Sequence, residues 1–384
     1  MSIQILSSSV ARKIAAGEVI DRPFSVVREL VDNSIDAGAK KIEIRLEDGG
    51  KKSIIVTDNG SGMPAEDLHL CTLSHATSKI CHEDDLLSVR TLGFRGEALS
   101  SIAAVSRLTI RSRTQNGTGY CLKENSKEDV LPCACPYGTT VEVRDIFYNL
   151  PARRHFIKTA NAETGLVKRI ILDKAAAFPE IEFQLYTNGN INLHTPPSEK
   201  KERIQLLYPK TAPNSLWFSA IGSGQGFDIE LFAVRPDIYR RDRRYLQVFV
   251  NNRRVQEYSL QQAIEYAYST YIPGGAYPIA FAFVHIEPDL VDFNIHPAKK
   301  EVRFRNREGL HHRLVKITES SLHAYALSRR NTAQNSYVPS YDLDFPTEPR
   351  KHTFSESTSQ NQTSFYDSAQ SIYPDTKLHT SETP

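Results

Sequence analysis

The first regular pattern of apolar positions lies just after Pro23 and predicts a helix over residues 24–36. Proline suits the first turn of a helix, because the amide hydrogen that it lacks would have no partner there. The apolar residues recur three or four positions apart and form a stripe, which we expect to face a core. The members of the stripe are Val27, Leu30, Val31 and Ile35.

Glu29, Asn33 and Asp36 stand about one turn apart on another side of the same helix. This spacing stacks a carboxylate and an amide, which together can activate a water molecule and hold a metal ion. An ordinary polar face in contact with solvent has the same appearance, since such faces are typical of surface helices. The helix alone leaves both interpretations open.

Apolar patterns elsewhere predict an α+β protein whose strands and helices fall in two regions. Alternating or continuous apolar runs predict strands at residues 41–46, 53–57, 107–112, 139–145, 183–186, 228–234, 245–250, 279–286, 291–295 and 302–304. Helical spacing predicts helices at residues 65–73, 98–103, 162–177, 260–271 and 307–327. We expect residues 149–154 to form a turn and the glycine-rich residues 222–226 to form a loop.

Prolines and charged residues over residues 196–201 mark the best domain boundary. We therefore expect a first domain over residues 1–198 and a second domain over residues 202–330. Ser, Thr, Pro, Asn and Gln dominate residues 331–384. This last stretch is expected to be a disordered linker or tail, because it holds too few apolar residues to bury a core.

The composition is that of a soluble protein, with 40% hydrophobic and 24% charged residues. The N-terminal residues resemble no secretory signal, and no apolar run approaches the length that crosses a bilayer. The five cysteines are scattered without a nearby histidine cluster, which favours reduced thiols in a cytoplasmic protein over a zinc site.

The charge is unevenly distributed along the chain. Residues 201–330 carry 19 Lys and Arg against 13 Asp and Glu, whereas residues 331–384 carry 3 against 7. A basic region inside a nearly neutral protein indicates a polyanionic partner, and a solvated basic face is the alternative.

The strand predicted at residues 53–57 runs directly into the turn DNGSGMP, which begins at Asp58. Gly60 and Gly62 let the backbone approach a ligand closely, and the Asp58 carboxylate can accept a hydrogen bond from an exocyclic amine. An isolated turn without a ligand is the alternative interpretation.

The stretch TLGFRGEAL over residues 91–99 opens a predicted helix. Gly93 and Gly96 precede the helix start, where free amides and the positive end of the helix dipole favour a phosphate group. The segment HATSK over residues 75–79 supplies a cation in Lys79. Glycine hinges would let residues 74–97 close over a nucleotide as a lid, and a flexible loop with a glycine-rich helix entry is the alternative.

The common nucleotide-binding motifs are missing from the sequence. The chain contains no G-x-x-x-x-G-K-[ST], and no G-x-G-x-x-G opens a helix after the first strand. The protein kinase motifs are absent as well.

Seven segments in order resemble the GHKL ATPase superfamily and, within it, the MutL family of DNA mismatch repair proteins. They cover about residues 1–330. The segments are AAGEVI (15–20), RELVDNSIDAG (28–38), DNGSG (58–62), HATSK (75–79), GFRGEAL (93–99), DIFYNLPAR (145–153) and NIHPAK (294–299). The resemblance implies a GHKL (Bergerat-type) α/β sandwich ATPase domain followed by a smaller α/β domain of the ribosomal-protein-like type.

The resemblance also implies roles for individual residues, with ATP and Mg²⁺ as cofactors. Glu29 would be the general base, Asn33 would hold Mg²⁺, and Lys299 of the second domain would reach the γ-phosphate. Asp58 would accept from the adenine amine, with Gly60, Gly62, Met63 and Thr139 near the base. The phosphates would be bound by Thr77, Ser78, Lys79, Leu92, Gly93, Phe94, Arg95, Gly96, Glu97, Ala98 and Leu99.

In such proteins ATP is expected to order the lid and to bring two N-terminal regions together, with residues 1–20 in the contact. The resemblance implies a MutS-type mismatch sensor, a downstream repair nuclease or helicase, and a cytoplasmic location that becomes nucleoid-associated on DNA. DNA phosphates would be contacted without sequence readout by Arg240, Arg241, Arg243, Arg244, Arg253 and Arg254.

The sequence departs from the family in one respect. Family members usually carry a C-terminal dimerisation domain, in some cases with a nuclease site, and no DQHAxxER-type stretch occurs here. No nuclease activity is expected from these residues. A DNA-binding scaffold that does not hydrolyse ATP, and another GHKL protein such as a chaperone or a topoisomerase subunit, are the alternatives.

Overall fold

The computed structural model describes residues 16–17, 19–79, 91–93, 96–123, 130–293 and 302–335 of the 384-residue chain. No helix in these ranges is long and apolar enough to cross a membrane. The helices are α1 (Pro23–Asp36), α2 (Ala65–Leu70), α3 (Ala98–Val105), α4 (Pro151–His155), α5 (Ala160–Ala177), α6 (Lys200–Leu207), α7 (Tyr258–Tyr268) and α8 (Arg307–Asn335).

The strands build an eight-stranded sheet, a five-stranded sheet and a short two-stranded ladder. The first sheet contains β1 (Lys41–Glu47), β2 (Ser53–Asp58), β3 (Arg107–Arg113), β4 (Tyr120–Lys123), β5 (Val130–Pro132), β6 (Gly138–Arg144), β7 (Glu182–Thr187) and β8 (Asn190–Thr195). The second contains β9 (Trp217–Gly224), β10 (Phe227–Val234), β11 (Leu246–Val250), β12 (Arg253–Val255) and β13 (Ala280–Ile286). The ladder pairs β14 (Val291–Asp292) with β15 (Arg303–Phe304).

The eight-stranded sheet has the order β5-β4-β3-β6-β2-β1-β7-β8. The interior strand β1 pairs antiparallel with β2 and parallel with β7, so that Ile44 lies between Val56 and Leu185. Alternate residues of β1 are buried, which is the pattern expected of a strand with one face on a core. Helices α1 and α5 contact each other and contribute to this core through residues such as Val27 and Ile171.

The five-stranded sheet has the order β12-β11-β13-β10-β9 and packs on both faces. Leu260 of α7 and Leu314 of α8 lie in the core on one face. On the other face Phe249 stacks on Phe283 with ring centroids 4.7 Å apart, and both belong to the core of the first sheet. The two sheets therefore share apolar packing, and the described residues up to Gln334 belong to one compact unit.

The elements that the sequence predicts from long periodic patterns are confirmed within a few residues, but several short ones differ. Residues 149–154, expected as a turn, contain the first part of α4, which begins at Pro151. Residues 222–224, expected in a loop, complete the edge strand β9. Helix α8 extends to Asn335 rather than ending near residue 327, and residues 336–384 lie outside the described ranges. The sequence did not predict β4, β5, β8, β9, β12, α4 or α6.

Arg203 of α6 anchors the segment that the sequence marks as a domain boundary. Its side chain is fully buried, and Nη2 donates to the carbonyl oxygens of Pro179, Ile181 and Pro196 at 2.6, 3.0 and 2.6 Å. Burial lowers the pKa of Arg203. Further donations reach Ala175 O and Thr195 Oγ1, so one guanidinium fixes the end of α5, the end of β8 and the 196–198 segment. Whether residues 1–198 and 202–330 are separate domains stays a prediction.

Replacing Arg203 with Met should lower the free energy of unfolding by at least about 3 kcal/mol, because several buried carbonyl groups lose their donor. Urea denaturation measures this loss. Lys201→Met, an exposed change on the same helix, should stay within about 0.5 kcal/mol of the parent protein. Equal stability of the two variants would contradict the role of Arg203 as an anchor.

Candidate functional site

The polar face of α1 contacts the Lys79 ammonium of the HATSK segment. The Lys79 ammonium donates to Asn33 Oδ1 at 3.0 Å and to Asp36 Oδ2 at 2.7 Å. One turn earlier, the partly exposed Glu29 carboxylate accepts from Nε and Nη2 of the adjacent Arg28 at 3.1 and 3.0 Å. Lys79 of the HATSK segment thus contacts Asn33 and Asp36 of the predicted polar face, and Glu29 lies one turn before Asn33 on the same helix.

Asp36 connects this face to residues 91–93, although the sequence analysis gave it no role of its own. Its side chain is only 7% exposed. Oδ1 accepts from the Leu92 amide at 2.9 Å and Oδ2 from the Gly93 amide at 3.1 Å. The position of Asp36 three residues after Asn33 on the same face was a signal for this role.

Asp58 lies at the end of β2 in a buried hydrogen-bond network. Its Oδ2 accepts from the Ser34 hydroxyl at 2.7 Å, and Oδ1 accepts from the amides of Gly60 and Thr139 at 2.9 and 3.3 Å. Burial raises the pKa of Asp58, while the bonds from Gly60, Ser34 and Thr139 act in the opposite direction. Because Ser34 belongs to α1, the same helix carries one partner of Asp58 and the Lys79 partners Asn33 and Asp36.

The turn after Asp58 passes close to β3. Gly62 has a positive φ of 68°, and a Cβ there would lie 2.2 Å from the carbonyl oxygen of Arg113, so only glycine fits. The next residue, Met63, donates its amide to Ser112 Oγ at 2.8 Å, and this hydroxyl lies 2.9 Å from Thr139 Oγ1. The predicted residues Gly62, Met63 and Thr139 are therefore neighbours.

The glycine-rich entry to α3 packs against the HATSK segment. Gly96 has a φ of 63°, and a Cβ there would lie 2.6 Å from the carbonyl oxygen of Ala76. Thr77 Oγ1 accepts from the Lys79 amide at 3.2 Å, whereas Ser78 is exposed. Glu97 precedes Ala98 and Leu99, the first two residues of α3. The predicted residues Phe94, Arg95 and Lys299 lie outside the described ranges.

The chemistry of these side chains fits a nucleotide. An ionised carboxylate offers about four acceptor positions, and the described donors to Asp58 use three of them, so one remains for an amine. The Lys79 ammonium has three donors and its two described partners use two of them, which leaves one for a phosphate oxygen.

The same residues fit Mg²⁺ only as a sparse set of ligands. In the described part of the chain, no group of three or more His, Cys, Asp or Glu side chains is arranged to hold a metal ion. The family resemblance implies Asn33 as the protein ligand of this ion, and its Oδ1 also accepts from the Lys79 ammonium at 3.0 Å. Mg²⁺ commonly keeps several waters and is bound by one or two protein oxygens together with substrate phosphates, so a single amide oxygen is compatible with it.

The six arginines predicted to bind DNA have different environments. Arg241 and Arg244 are exposed. Arg240 donates to the Thr211 carbonyl oxygen at 2.8 Å, and Arg243 pairs with Glu265 at 2.7 Å. The remaining two contact other elements: Arg254 pairs with Asp173 of α5 at 2.6 Å, and Arg253 donates to the Thr91 carbonyl oxygen at 2.6 Å.

Two family models match the chain. Residues 21–128 match the model described as "Histidine kinase-, DNA gyrase B-, and HSP90-like ATPase". Residues 204–323 match the model described as "DNA mismatch repair protein, C-terminal domain". The first match contains α1 and the Asp58 turn, and the second contains all of the five-stranded sheet together with α7.

Curated relatives are similar to most of the chain. The chain is 42% identical over 326 residues to the DNA mismatch repair protein MutL of Desulforamulus reducens, covering 84% of this chain and 51% of the relative. It is 38% identical over 362 residues to MutL of Treponema pallidum, covering 90% of this chain and 58% of the relative. The chain thus spans about half the length of the curated relatives that it matches.

Solved structures share the fold. The structure titled "Crystal Structure of N terminal domain of a DNA repair protein" is 25% identical, has a TM-score of 0.68 and covers 83% of this chain and 99% of that chain. The Aquifex aeolicus MutL ATPase domain complexed with ADP is 26% identical, has a TM-score of 0.54 and covers 76% and 98%. The GHKL-type α+β fold expected from the sequence is thereby confirmed.

Replacing Asp36 with Ala should lower the free energy of unfolding by about 2 kcal/mol, because a buried carboxylate then no longer joins two amides and an ammonium group. Chemical denaturation measures the change. Glu66→Ala, which removes an exposed carboxylate from α2, should have an effect below about 0.5 kcal/mol. A loss no larger than that of the control would show that Asp36 holds nothing in place.

Proposed function

Because the chain belongs to the MutL family of DNA mismatch repair proteins, we propose that it is the Mg²⁺-dependent ATPase module of a mismatch repair mediator. One observation carries the proposal. Helix α1 contacts the buried Asp58 carboxylate through Ser34 and the Lys79 ammonium through Asn33. By the count above, the carboxylate has one acceptor position free for a ligand and the ammonium has one donor free. A nucleotide such as ATP requires both, because its base offers an amine to an acceptor and its phosphate oxygens require a donor.

In this proposal the residues act in three groups. Asp58 accepts from the adenine amine, with Gly60, Gly62, Met63 and Thr139 around the base. Thr77, Ser78, Lys79 and residues 92–99 bind the phosphates. Bound Mg²⁺, held by Asn33, would neutralise phosphate charge.

Glu29 is proposed as the general base that takes a proton from the attacking water. Its carboxylate is one turn from Asn33 on α1 and keeps an exposed fraction of 21%, so a water molecule can reach it. Lys299 is proposed to approach the γ-phosphate from the second region, as the family resemblance implies. A lysine supplied from there would make the orientation of that region depend on the nucleotide.

We further propose that ATP joins two copies through residues 1–20 and that hydrolysis separates them. The ADP complex of the Aquifex relative supports nucleotide binding in this fold. A MutS-type sensor, a downstream nuclease or helicase, and DNA are the proposed partners in the cytoplasm. Of the six arginines, exposed Arg241 and Arg244 are the better placed to contact DNA phosphates.

Glu29→Ala should reduce kcat for ATP hydrolysis by at least about 100-fold, because the attacking water loses its base. Nucleotide affinity should change less than about threefold, since Glu29 is not proposed to hold the ground state. Asn33→Ala should weaken Mg²⁺-ATP binding at least about tenfold. Phosphate release and calorimetric titration measure the two effects.

The control for both variants is Glu66→Ala, which removes an exposed carboxylate of α2 that has no proposed role in the site. It should keep both parameters. Unchanged turnover in Glu29→Ala would remove the proposed mechanism. No hydrolysis in the parent protein at any concentration would favour the scaffold alternative.

A non-hydrolysable ATP analogue should about double the mass measured by light scattering, because the nucleotide is proposed to join two copies. The rate of phosphate release should also rise faster than linearly with protein concentration. Mass that stays at one copy with saturating analogue, together with a strictly linear rate, would rule out coupling between ATP and dimer formation.

A further inference from the structure

Arg253 directly follows a two-residue turn of the five-stranded sheet that side-chain hydrogen bonds hold in place. Asn251 and Asn252 join β11 to β12 with φ angles of 45° and 62°, the geometry of a tight two-residue hairpin. The Asn251 side chain donates to the Ile286 carbonyl oxygen at 2.8 Å and accepts from the Ile286 amide at 2.9 Å. The first residue after the turn therefore has a defined direction.

The Arg253 side chain reaches across to residues 91–93 of the first region. Nη2 donates to the carbonyl oxygen of Thr91 at 2.6 Å and approaches that of Leu92 at 3.4 Å. The guanidinium also lies over the Phe293 ring, 4.6 Å from its centroid. Burial lowers the pKa of Arg253, and the charges of Asp32 and Asp36 act against that shift.

Segment 91–93 is held from two sides by these contacts. Its carbonyl groups point to Arg253, and the amides of Leu92 and Gly93 point to the Asp36 carboxylate. A peptide that accepts from a cation and donates to an anion is polarised in one direction, which strengthens both hydrogen bonds. The cation comes from the five-stranded sheet and the anion from α1.

The structure assigns Arg253 as a positioning residue that fixes segment 91–93 from the five-stranded sheet. The inference rests on the proposed function in one respect: if that segment binds phosphate, nucleotide binding and the placement of the sheet depend on each other. A planar guanidinium can serve two neighbouring carbonyl groups at once, whereas a lysine offers a point charge. Its position in this contact also distinguishes Arg253 from the exposed arginines.

Hydrogen exchange with mass spectrometry tests the assignment in the nucleotide-free chain. Arg253→Met should speed exchange of the peptide that contains residues 91–93 by about tenfold, because its carbonyl anchor is lost. Arg253→Lys keeps the charge and should give an intermediate rate. The matched control, Asp173→Asn, removes the Arg254 ion pair beside Arg253 and should leave this peptide at the parental rate.

Titration with ATP then tests the coupling. Arg253→Met should weaken ATP binding about tenfold, and Asp173→Asn should not. Parental exchange of the 91–93 peptide in both Arg253 variants would overturn the assignment. The exchange experiment needs no nucleotide, so a parent protein that binds no ATP would end the proposed function while the exchange result still decides the role of Arg253.

Discussion

The candidate site depends on the fixed orientation of α1 about its own axis, which decides which side chains face the core and which face the site. Val26, Val27, Leu30 and Val31 are almost fully buried, and each such side chain contributes about 1.5–3 kcal/mol when it leaves water. A single hydrogen bond contributes only about 0.5–1.5 kcal/mol net. The burial of the apolar face therefore sets the orientation of the helix, and the polar side chains can bind only partners that lie on its other sides.

Those other sides face two different neighbours. Ser34 meets Asp58 at the end of β2, whereas Asn33 and Asp36 meet Lys79. One rigid helix thus sets the relation between the two ends of the candidate site. A loop could not hold them as well, since sites built on regular elements are more precise.

The sequence was informative where a pattern is local. The stripe on α1 and its polar face follow from the helical repeat alone, and the turn after β2 follows from Asp58 and the two glycines. The short strand β4 and the edge strands β5 and β8 escaped because a few residues carry too little periodicity, and β9 because glycines at its end indicate a loop. Family resemblance, rather than spacing, supplied the individual roles.

Contacts between distant parts of the chain could not be predicted in this way. Arg253 and Arg254 form part of a basic cluster in sequence, which favours an exposed face for nucleic acid. In the fold both arginines lie on β12, and Arg253 contacts Thr91 although 162 residues separate the two in sequence. Arg203 is a similar case, because nothing local distinguishes a lysine-rich surface helix from one that buries its arginine.

The distribution of charge around segment 91–93 adds a physical limit on the site. Asp36 is paired with Lys79 and with two amides, so much of the positive potential near Asn33 is already balanced. A phosphate chain placed there, as proposed, would meet one remaining donor of Lys79 and the nearby buried carboxylate of Asp36, which would repel it. Under the proposed function, a divalent cation bound with the nucleotide would offset this repulsion, so Mg²⁺ would be needed already at the binding step, before hydrolysis.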